Sequence, residues 1–283
     1  GSAEVIKSVF SIMLERGDCI LMPDPGWTYY SSLAREKFCD VYHYQVLKDD
    51  YTYYMDVEDI LLKAGQYHPR IIVITTPHNP TGCRLDGRAI EMIVKRNPDS
   101  LVLLDQAYWG FSEEDVDVRR LVETYPNILI SRTFSKYYGL ANMRVGYGFC
   151  NVKVKHIFGL DLPLFRESVI SRRMAAAALR DKAYYEEMNR EMCRVKTWFM
   201  DTLNRVPGIR VFQSDSNFVA VRVENKDLRD LRDVLQENNL LIRLFEDHGE
   251  PVARIAIGLR EEMEKTAGII EAFVKGVKEK EIC

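Results

Sequence analysis

Short apolar segments recur through the first half of the chain, and stretches with helical periodicity lie between them. The apolar segments are CILM, IIVIT, LVLLD, NILIS and VGYGF, at residues 19–22, 71–75, 101–105, 127–131 and 145–149. Helices are predicted over residues 4–16, ending at Gly17, and over 56–63 and 86–96. Strands that are apolar along their whole length are buried on both faces, and their alternation with helices is typical of a parallel sheet covered by helices. The sequence therefore predicts an α/β fold.

The second half of the chain has a different pattern. One long helix is predicted over residues 170–205, ended by Pro207 and Gly208. Further strands are predicted at 209–213, 217–223, 241–244 and 252–257, and further helices at 226–238 and 260–278. This order predicts a smaller α+β domain. We therefore expect a large domain over residues 1–185, which includes the start of the connecting helix, and a small C-terminal domain over 186–283.

The composition argues against several classes of protein. With 283 residues, 47% of them hydrophobic, the chain can form a sizeable core in one or two domains. Its 39 basic and 42 acidic residues form no like-charge block, so nucleic acid and membrane surfaces are not expected partners. The six cysteines are scattered without metal-ligand spacing, which predicts a reduced, cytoplasmic protein without a structural metal. We see no bilayer-spanning apolar stretch and no secretory signal pattern.

Polar residues follow three of the predicted strands at the point where each strand ends. TPHNPTG occupies residues 76–82, DQAY occupies 105–108, and RTFSK occupies 132–136. In open α/β sheets, ligands bind outside the carboxyl ends of the strands. Three polar strand ends in one sheet therefore predict a shared binding site.

These segments together resemble the class I/II aminotransferases of the fold-type I pyridoxal-phosphate superfamily. The agreement with that family includes the residues, the order and the separations of three segments: TTPHNPTG, LLDQAYWGF and SRTFSKYYGLANMRVGYG. The segment RIAIGLREEMEK, at 254–265, resembles the histidinol-phosphate aminotransferase-like branch. The resemblance extends over nearly the whole chain. It implies a three-layer large domain with a mostly parallel sheet, pyridoxal 5′-phosphate as cofactor, and a homodimer with the active site at the subunit interface.

Lys136 is implied by this resemblance to form the Schiff base with the cofactor. It ends the motif SRTFSK and precedes Arg144 by eight residues, as in the family. Nearby positive charge favours the neutral amine that this chemistry requires. After the substrate displaces it, the same amine can move the proton between the substrate Cα and the cofactor C4′. A solvated lysine after a strand is the alternative interpretation.

The resemblance also assigns residues around the cofactor ring. Asp105 is implied to pair with the protonated pyridine nitrogen, which keeps the ring electron-poor. Tyr108 and Asn79 are implied to lie near the ring oxygen, and Trp27 to stack on the ring face. The alternatives are a turn aspartate, a core tyrosine, a turn asparagine before Pro80, and a tryptophan packed beneath a loop.

The cofactor phosphate is implied to meet donors from two segments. Arg144 suits a forked contact, and Thr133 and Ser135 supply hydroxyl groups. Ser2 and Ala3 would add backbone amides, because a helix N-terminus is a ready anion site. The leading Gly-Ser is also a common cloning scar, but the family has a glycine-led loop here at the same distance from its stacking aromatic residue. That match favours a native segment.

Two arginines of the second half are implied to contact the substrate. Arg254 opens RIAIG and corresponds to the clamp for the α-carboxylate, while a surface arginine beside a strand is the alternative. Arg243, in LLIRLF, stands near an arginine that can meet the substrate's own phosphate in the histidinol-phosphate-like branch. The loop between them is slightly short for that branch, so the role of Arg243 stays open.

Two features depart from the family pattern. Family chains normally begin several dozen residues earlier, with an arm over the site and a tyrosine that reaches the neighbouring subunit's cofactor, so the chain is expected to be a fragment or a processed form, or to replace that segment otherwise. Residues 160–173 often carry small polar residues in the family, but here include Arg166, Glu167, Arg172 and Arg173. These charged residues fit a solvated helix start better than recognition of an acidic substrate.

Three functions follow from these observations. The first is transamination of an amino acid or an amino phosphate ester of the histidinol-phosphate kind, with a 2-oxo acid as the partner substrate. The second is decarboxylation, as in the threonine-phosphate decarboxylases, which depends on which Cα bond stands perpendicular to the ring. The third is a truncated, non-catalytic module with this fold. The cofactor residues favour the first.

Overall fold

The structure is a computed structural model, and it describes residues 1–112, 116–153 and 168–276. Part of the charged segment 160–173 singled out in the sequence, including Arg166 and Glu167, lies outside the described residues. None of the helices within the described ranges is both long and apolar enough to cross a lipid bilayer.

The chain forms two compact units. The first comprises Gly1–Leu47, Tyr54–Asn79 and Arg84–Tyr185, and the second comprises Lys48–Tyr53, Pro80–Cys83 and Glu186–Cys283. The two short early segments of the second unit were not anticipated by the sequence-based division after residue 185, which stays a prediction.

A seven-stranded sheet runs through the described part of the first unit, in the order β3-β2-β1-β4-β5-β6-β7. Its strands are β1 Cys19–Asp24, β2 Asp40–Lys48, β3 Tyr53–Met55, β4 Ile71–Thr75, β5 Leu101–Asp105, β6 Ile128–Thr133 and β7 Gly146–Cys150. Strand β1 is parallel to β2 and β4, and β4, β5 and β6 are parallel to one another. Only β7, among these described pairings, runs antiparallel to its neighbour. The predicted α/β fold with a mostly parallel sheet is confirmed.

Helices cover this sheet and account for its apolar strands. They are α1 Ser2–Met13, α2 Thr28–Glu36, α3 Val57–Tyr67, α4 Gly87–Arg96 and α5 Val118–Thr124. Ile71 and Val73 of β4 belong to one core cluster with the buried faces of α1 and α2. Successive side chains of a strand point to opposite faces, yet Ile72 and Ile74 are equally buried, at 0% exposed. Both faces of the sheet centre are therefore covered.

The second half of the chain supplies four more described helices and a separate sheet. The helices are α6 Val169–Arg180, α7 Lys182–Asn204, α8 Leu228–Glu237 and α9 Arg260–Lys275. An antiparallel sheet in the order β10-β11-β9-β8 consists of β8 Ile209–Val211, β9 Phe218–Val223, β10 Arg243–Asp247 and β11 Glu250–Ala256. Its core includes Phe199 and Leu203 of α7 with Val219, Leu231 and Ile270. This unit has the predicted α+β character.

The long helix predicted over residues 170–205 is wrong in one respect, because it is two helices. Asp181 leaves the helical conformation with φ −93° and ψ 55°, and its N–H bonds the carbonyl groups of Ala177 and Ala178. Aspartate side chains compete with helical backbone hydrogen bonds, which makes this residue a natural place to interrupt an otherwise continuous pattern.

Other boundaries differ for local reasons. Helix α1 ends at Met13 rather than at residue 16, because Leu14 is extended, and Gly17 lies beyond the helix with a φ of +91°. Elements α2, β2, β3 and α5 were not predicted. Strand β2 reads DVYHYQVLK and mixes polar and aromatic residues, unlike the apolar strands beside it.

Candidate active site

The carboxyl ends of three neighbouring parallel strands lie side by side in register. Thr75 ends β4 and pairs with Asp105, which ends β5, and Asp105 pairs with Ser131 near the end of β6. The structure thus brings together the strand ends that the sequence singled out. A row of polar side chains forms at the edge where open α/β sheets bind their ligands.

Asp105 is a buried carboxyl group, only 2% exposed. Within the described residues it accepts three hydrogen bonds, from Tyr30 Oη at 2.6 Å, from Ser131 Oγ at 3.1 Å and from the Ala107 amide at 3.0 Å. Burial raises the pKa of Asp105, and these hydrogen bonds oppose that rise. The donors replace the water that the carboxylate has lost.

Lys136 lies in the loop that follows β6, beside residues that follow β5. Its Nζ is 5.5 Å from the centre of the Tyr108 ring, and Tyr108 is buried, three residues after Asp105. Lys136 itself is exposed. The Lys136 amine therefore lies beside the turn that carries the buried carboxylate.

A group of donors gathers around the first turn of α1. A Cβ placed on Gly1 would lie 3.1 Å from Arg144 Nη2 and 3.5 Å from Ser135 Oγ. The Thr133 hydroxyl donates to Ser135 Oγ at 3.0 Å, and Gly1 N donates to the Arg144 carbonyl at 2.7 Å. Ser2 begins α1. We refer to residues 1–3, Thr133, Ser135 and Arg144 as the anion cup, since a guanidinium, two hydroxyl groups and a helix N-terminus share this small region.

Gly146 permits this close approach. A Cβ at Gly146 would lie 2.2 Å from the Ser2 nitrogen and 2.4 Å from the Gly1 carbonyl carbon, both of which are backbone atoms. Only a residue without a side chain allows strand β7 to pass so near the start of α1. Gly146 follows Arg144 by two residues and was not predicted from the sequence to be important.

Trp27 and Asn79 are held in separate loops of the first unit. Trp27 is the N-cap of α2 and is 36% exposed. Its ring centre lies 4.8 Å from that of Tyr29 and 5.3 Å from that of Tyr30. Asn79 is half-buried in the loop after β4. Trp27 thus has an accessible ring that its neighbours hold in place.

Sequence reasoning missed several residues around the strand ends. Tyr30 donates a hydrogen bond to Asp105. The sequence feature that could have identified Tyr30 is its position three residues after Trp27, which places both residues at the start of one helix. Arg132 is 8% exposed, donates from Nε to Gln106 Oε1 at 2.8 Å and lies 4.0 Å from the Trp109 ring centre. Arg132 therefore ties strand β6 to the turn after Asp105.

The second unit places two predicted arginines beside each other. Arg243 on β10 and Arg254 on β11 are direct partners in the antiparallel ladder, so their side chains leave the same face of the sheet. The guanidinium of Arg254 lies 5.2 Å from the centre of the Phe218 ring. Like charges directly opposite each other destabilise a sheet pair, and an anion bound between them would relieve that repulsion.

Two of the charged residues noted in the sequence lie on α6. Arg172 and Arg173 are exposed in its first turns. This position agrees with the solvated helix start that the sequence favoured. Among the described residues, no cluster of three or more histidine, cysteine, aspartate or glutamate side chains is arranged to hold a metal ion.

Known proteins resemble this chain over nearly its whole length. The family model for aminotransferase class I and II matches residues 1–270. A curated histidinol-phosphate aminotransferase from Methanocaldococcus jannaschii is 28% identical over 277 residues, which is 97% of this chain and 74% of the relative. Another from Chlorobaculum tepidum is 30% identical over 273 residues, covering 96% of this chain and 76% of the relative.

Solved structures share the fold. The histidinol-phosphate aminotransferase from Sinorhizobium meliloti, in complex with pyridoxal-5′-phosphate, has a TM-score of 0.88 at 22% identity and covers 98% of this chain and 76% of its own. The L-threonine-O-3-phosphate decarboxylase from Porphyromonas gingivalis has a TM-score of 0.83 at 23% identity and covers 97% of this chain and 82% of its own.

The close passage of β7 against α1 yields a stability prediction. Gly146→Ala is expected to lower the free energy of unfolding by about 1–3 kcal/mol, because its Cβ would overlap backbone atoms that have nowhere to move. Urea denaturation measures the change. Gly65→Ala is the matched control, since Gly65 lies within α3 with no atom within 4 Å of its added Cβ. Gly65→Ala should raise the free energy of unfolding by roughly 0.5–1 kcal/mol. Equal stability of the Gly146 variant and the wild type would contradict the described contact.

Proposed function

The chain belongs to the aminotransferase class I and II family, and we propose from this premise that it is a pyridoxal-phosphate-dependent aminotransferase. Its proposed amino donor is an amino acid or an amino phosphate ester of the histidinol-phosphate kind, and its acceptor is a 2-oxo acid. The buried Asp105 carboxylate, held by three donors beside the loop of Lys136, is the observation that carries the proposal. The names of the curated relatives support the substrate class.

The residues of the first unit fit the cofactor. A phosphorylated pyridine aldehyde needs a carboxylate for its ring nitrogen, an amine for its aldehyde, donors for its phosphate and a flat surface for its ring. Asp105, Lys136, the anion cup and Trp27 offer these groups. The space that a Cβ on Gly1 would take lies among the donors of the cup. When bound, pyridoxal phosphate supplies an electron-accepting ring that stabilises negative charge on the substrate α-carbon.

Asp105 is proposed to hold the ring nitrogen in its protonated form. A carboxylate with fixed donors keeps its orientation and needs no rearrangement when the cation binds. Tyr108 and Asn79 are proposed to donate to the ring oxygen. Their loops follow β5 and β4, the two strands that end at Asp105 and Thr75.

Lys136 is proposed to act twice. Its amine would first hold the cofactor through the aldehyde carbon. Once a substrate amine replaces it, the released Lys136 amine would take the proton from the substrate Cα and return it at the neighbouring cofactor carbon. Its exposure, and its place on a loop rather than in a packed strand, suit an amine that must move between these two tasks.

The anion cup is proposed to anchor the phosphate. Arg144 would contribute a forked, charge-assisted contact, and the hydroxyl groups of Thr133 and Ser135 would complete it. The amides of Ser2 and Ala3 stand at the start of a 12-residue helix, whose dipole favours an anion.

Arg254 and Arg243 are proposed to recognise the anionic groups of the substrates. Arg254 would form a bidentate contact with the carboxylate of an amino or oxo acid, and Arg243 would bind the phosphate of a phosphorylated amine. Their direct pairing across β10 and β11 supports this division, because neighbouring guanidinium groups on one face of the sheet suit a substrate that carries two anionic groups.

A homodimer in the cytoplasm is the proposed state of the protein. Helix α6 exposes Val169, Ile170 and Met174, at 55%, 69% and 44%, and an exposed apolar stripe of this kind favours association. Cys19 and Cys39 are in no disulfide, which suits a reducing compartment.

The decarboxylase alternative has less support. The curated relatives described above are named as aminotransferases, whereas the likeness to the threonine-phosphate decarboxylase rests on the fold alone. The non-catalytic alternative conflicts with the presence of Lys136, Asp105 and Arg144, which a binding module does not need together.

Borohydride reduction tests the role of Lys136. After incubation with pyridoxal phosphate and reduction, peptide mass spectrometry should find the pyridoxyl adduct on the peptide that contains Lys136. The Lys136→Ala variant should carry no specific adduct, while Lys95→Ala, which removes an exposed lysine at the end of α4, should keep it. An adduct located elsewhere in the wild type, or retained by the Lys136 variant, would contradict the proposal.

Substrate comparison tests Arg243. Arg243→Ala should lower kcat/KM for histidinol phosphate by roughly ten- to a hundredfold, the value of a charge-assisted hydrogen bond of about 1.5–3 kcal/mol. The same constant for an unphosphorylated amino acid should change little. Arg229→Ala, at an exposed position on α8, is the control and should affect neither substrate. Equal losses for both substrates would remove Arg243 from phosphate recognition.

A further inference from the structure

Tyr30 is a buried phenol at the carboxyl end of the parallel strands. It lies on α2 and is 1% exposed. Its hydroxyl donates to Asp105 Oδ2 at 2.6 Å and lies 3.3 Å from Thr75 Oγ1. A short bond between a phenol and a buried carboxylate is among the stronger neutral-donor hydrogen bonds, because the acceptor is charged and water is excluded.

The hydrogen bonds of Asp105 leave room for one more donor. A carboxylate offers about four acceptor positions, two on each oxygen. Within the described ranges, Oδ1 accepts from both Ser131 and the Ala107 amide, whereas Oδ2 accepts from Tyr30. The remaining position is therefore on Oδ2, the oxygen that Tyr30 holds. A ring nitrogen that donates to Asp105 would share this oxygen with the phenol.

The ring of Tyr30 contacts two other elements of the site. Its plane stands at 84° to the Trp27 ring, with the centres 5.3 Å apart, so an edge of one ring meets the face of the other. On another side it stacks with Phe10 of α1, with the ring centres 6.4 Å apart and the planes at 23°. One side chain thus touches the carboxylate, the exposed aromatic surface and the helix that opens the anion cup.

We propose that Tyr30 is a positioning residue for the cofactor: its hydroxyl fixes the charge and direction of Asp105, and its ring fixes Trp27. The inference rests on the proposed function, since it concerns how that cofactor's ring is held. Tyr30 thereby adds a neutral hydrogen-bond donor to the cofactor site, and this donor acts on the cofactor ring through Asp105.

The electrostatics of the pair agree with this arrangement. Burial raises the pKa of Asp105, and the hydrogen bond from Tyr30 is the leading effect that lowers it. Burial and the neighbouring carboxylate together raise the pKa of Tyr30 well above its ordinary value, so the phenol keeps its proton. Tyr44, from β2, acts on Tyr30 in the same direction. The other two donors to Asp105 carry no charge: the Ser131 hydroxyl of β6 and the Ala107 amide in the turn after β5.

Binding of pyridoxamine 5′-phosphate to the cofactor-free full chain tests the proposal. This probe lacks the aldehyde, so its affinity does not depend on a bond to Lys136. Tyr30→Phe keeps the ring and removes the hydroxyl, and should weaken binding roughly ten- to a hundredfold by calorimetry. Without its leading donor, Asp105 takes up a proton at a higher pH than in the wild type. The loss should therefore grow as the pH is lowered.

Two further variants make the test specific. Tyr44→Phe also removes a buried phenol hydroxyl, one that donates to the Val73 carbonyl at 3.0 Å, and should leave the affinity and its pH profile unchanged. Replacing Tyr30 with 3-fluorotyrosine strengthens the donor without changing the shape, and should move the profile to lower pH. If the phenylalanine variant does not fold, the 3-fluorotyrosine variant still tests the role of the Tyr30 hydroxyl.

The outcomes separate this inference from the function on which it rests. A wild-type protein that binds no pyridoxamine phosphate overturns both. A wild type that binds it, with Tyr30→Phe showing the same affinity and the same pH profile, overturns the role of Tyr30 alone. Equal losses in the Tyr30 and Tyr44 variants, without a change in pH profile, would reduce the effect to general stability and equally overturn it.

Discussion

Removing a carboxyl group from water costs several kcal/mol unless hydrogen-bond donors take the place of the water. Asp105 is 2% exposed, and its donors come from a helix, from the neighbouring strand and from the turn after its own strand. The carboxylate therefore depends on α2, β5 and β6 being assembled in register. The same requirement fixes the direction in which the carboxylate faces, and with it the place where a cationic ring can bind.

The parallel sheet makes this site possible and the loops supply its chemistry. Three strand ends bring Thr75, Asp105 and Ser131 into one row. Thr133 ends β6, and the loop after it carries Ser135 and Lys136. Strand β7 then returns past the start of α1, and Gly146 lets the two segments touch. An amine, a buried carboxylate and the donors of the anion cup thus come from the strand ends, the loops after them and the start of α1.

Much of the fold and part of the site could be predicted from the sequence. The apolar segments at 71–75 and 101–105 coincide with β4 and β5, because a strand buried on both faces is apolar along its whole length. Tyr30 was missed because a buried tyrosine in a helix looks like core packing, and only three-dimensional structure reveals its bond to a residue 75 positions away. The break at Asp181 and the pairing of Arg243 with Arg254 depend likewise on local backbone geometry and strand register.

The role of Asp105 determines the protonation state of the cofactor's ring nitrogen, which NMR can measure. Protein reconstituted with pyridoxal phosphate labelled with nitrogen-15 in the ring can be compared by NMR with its Asp105→Asn variant, in which the carboxylate is replaced by a neutral amide of similar size. The ring nitrogen should be protonated in the wild type at neutral pH and should lose that proton in the variant. A ring nitrogen with the same protonation state in both proteins would contradict the assignment of Asp105 as its partner.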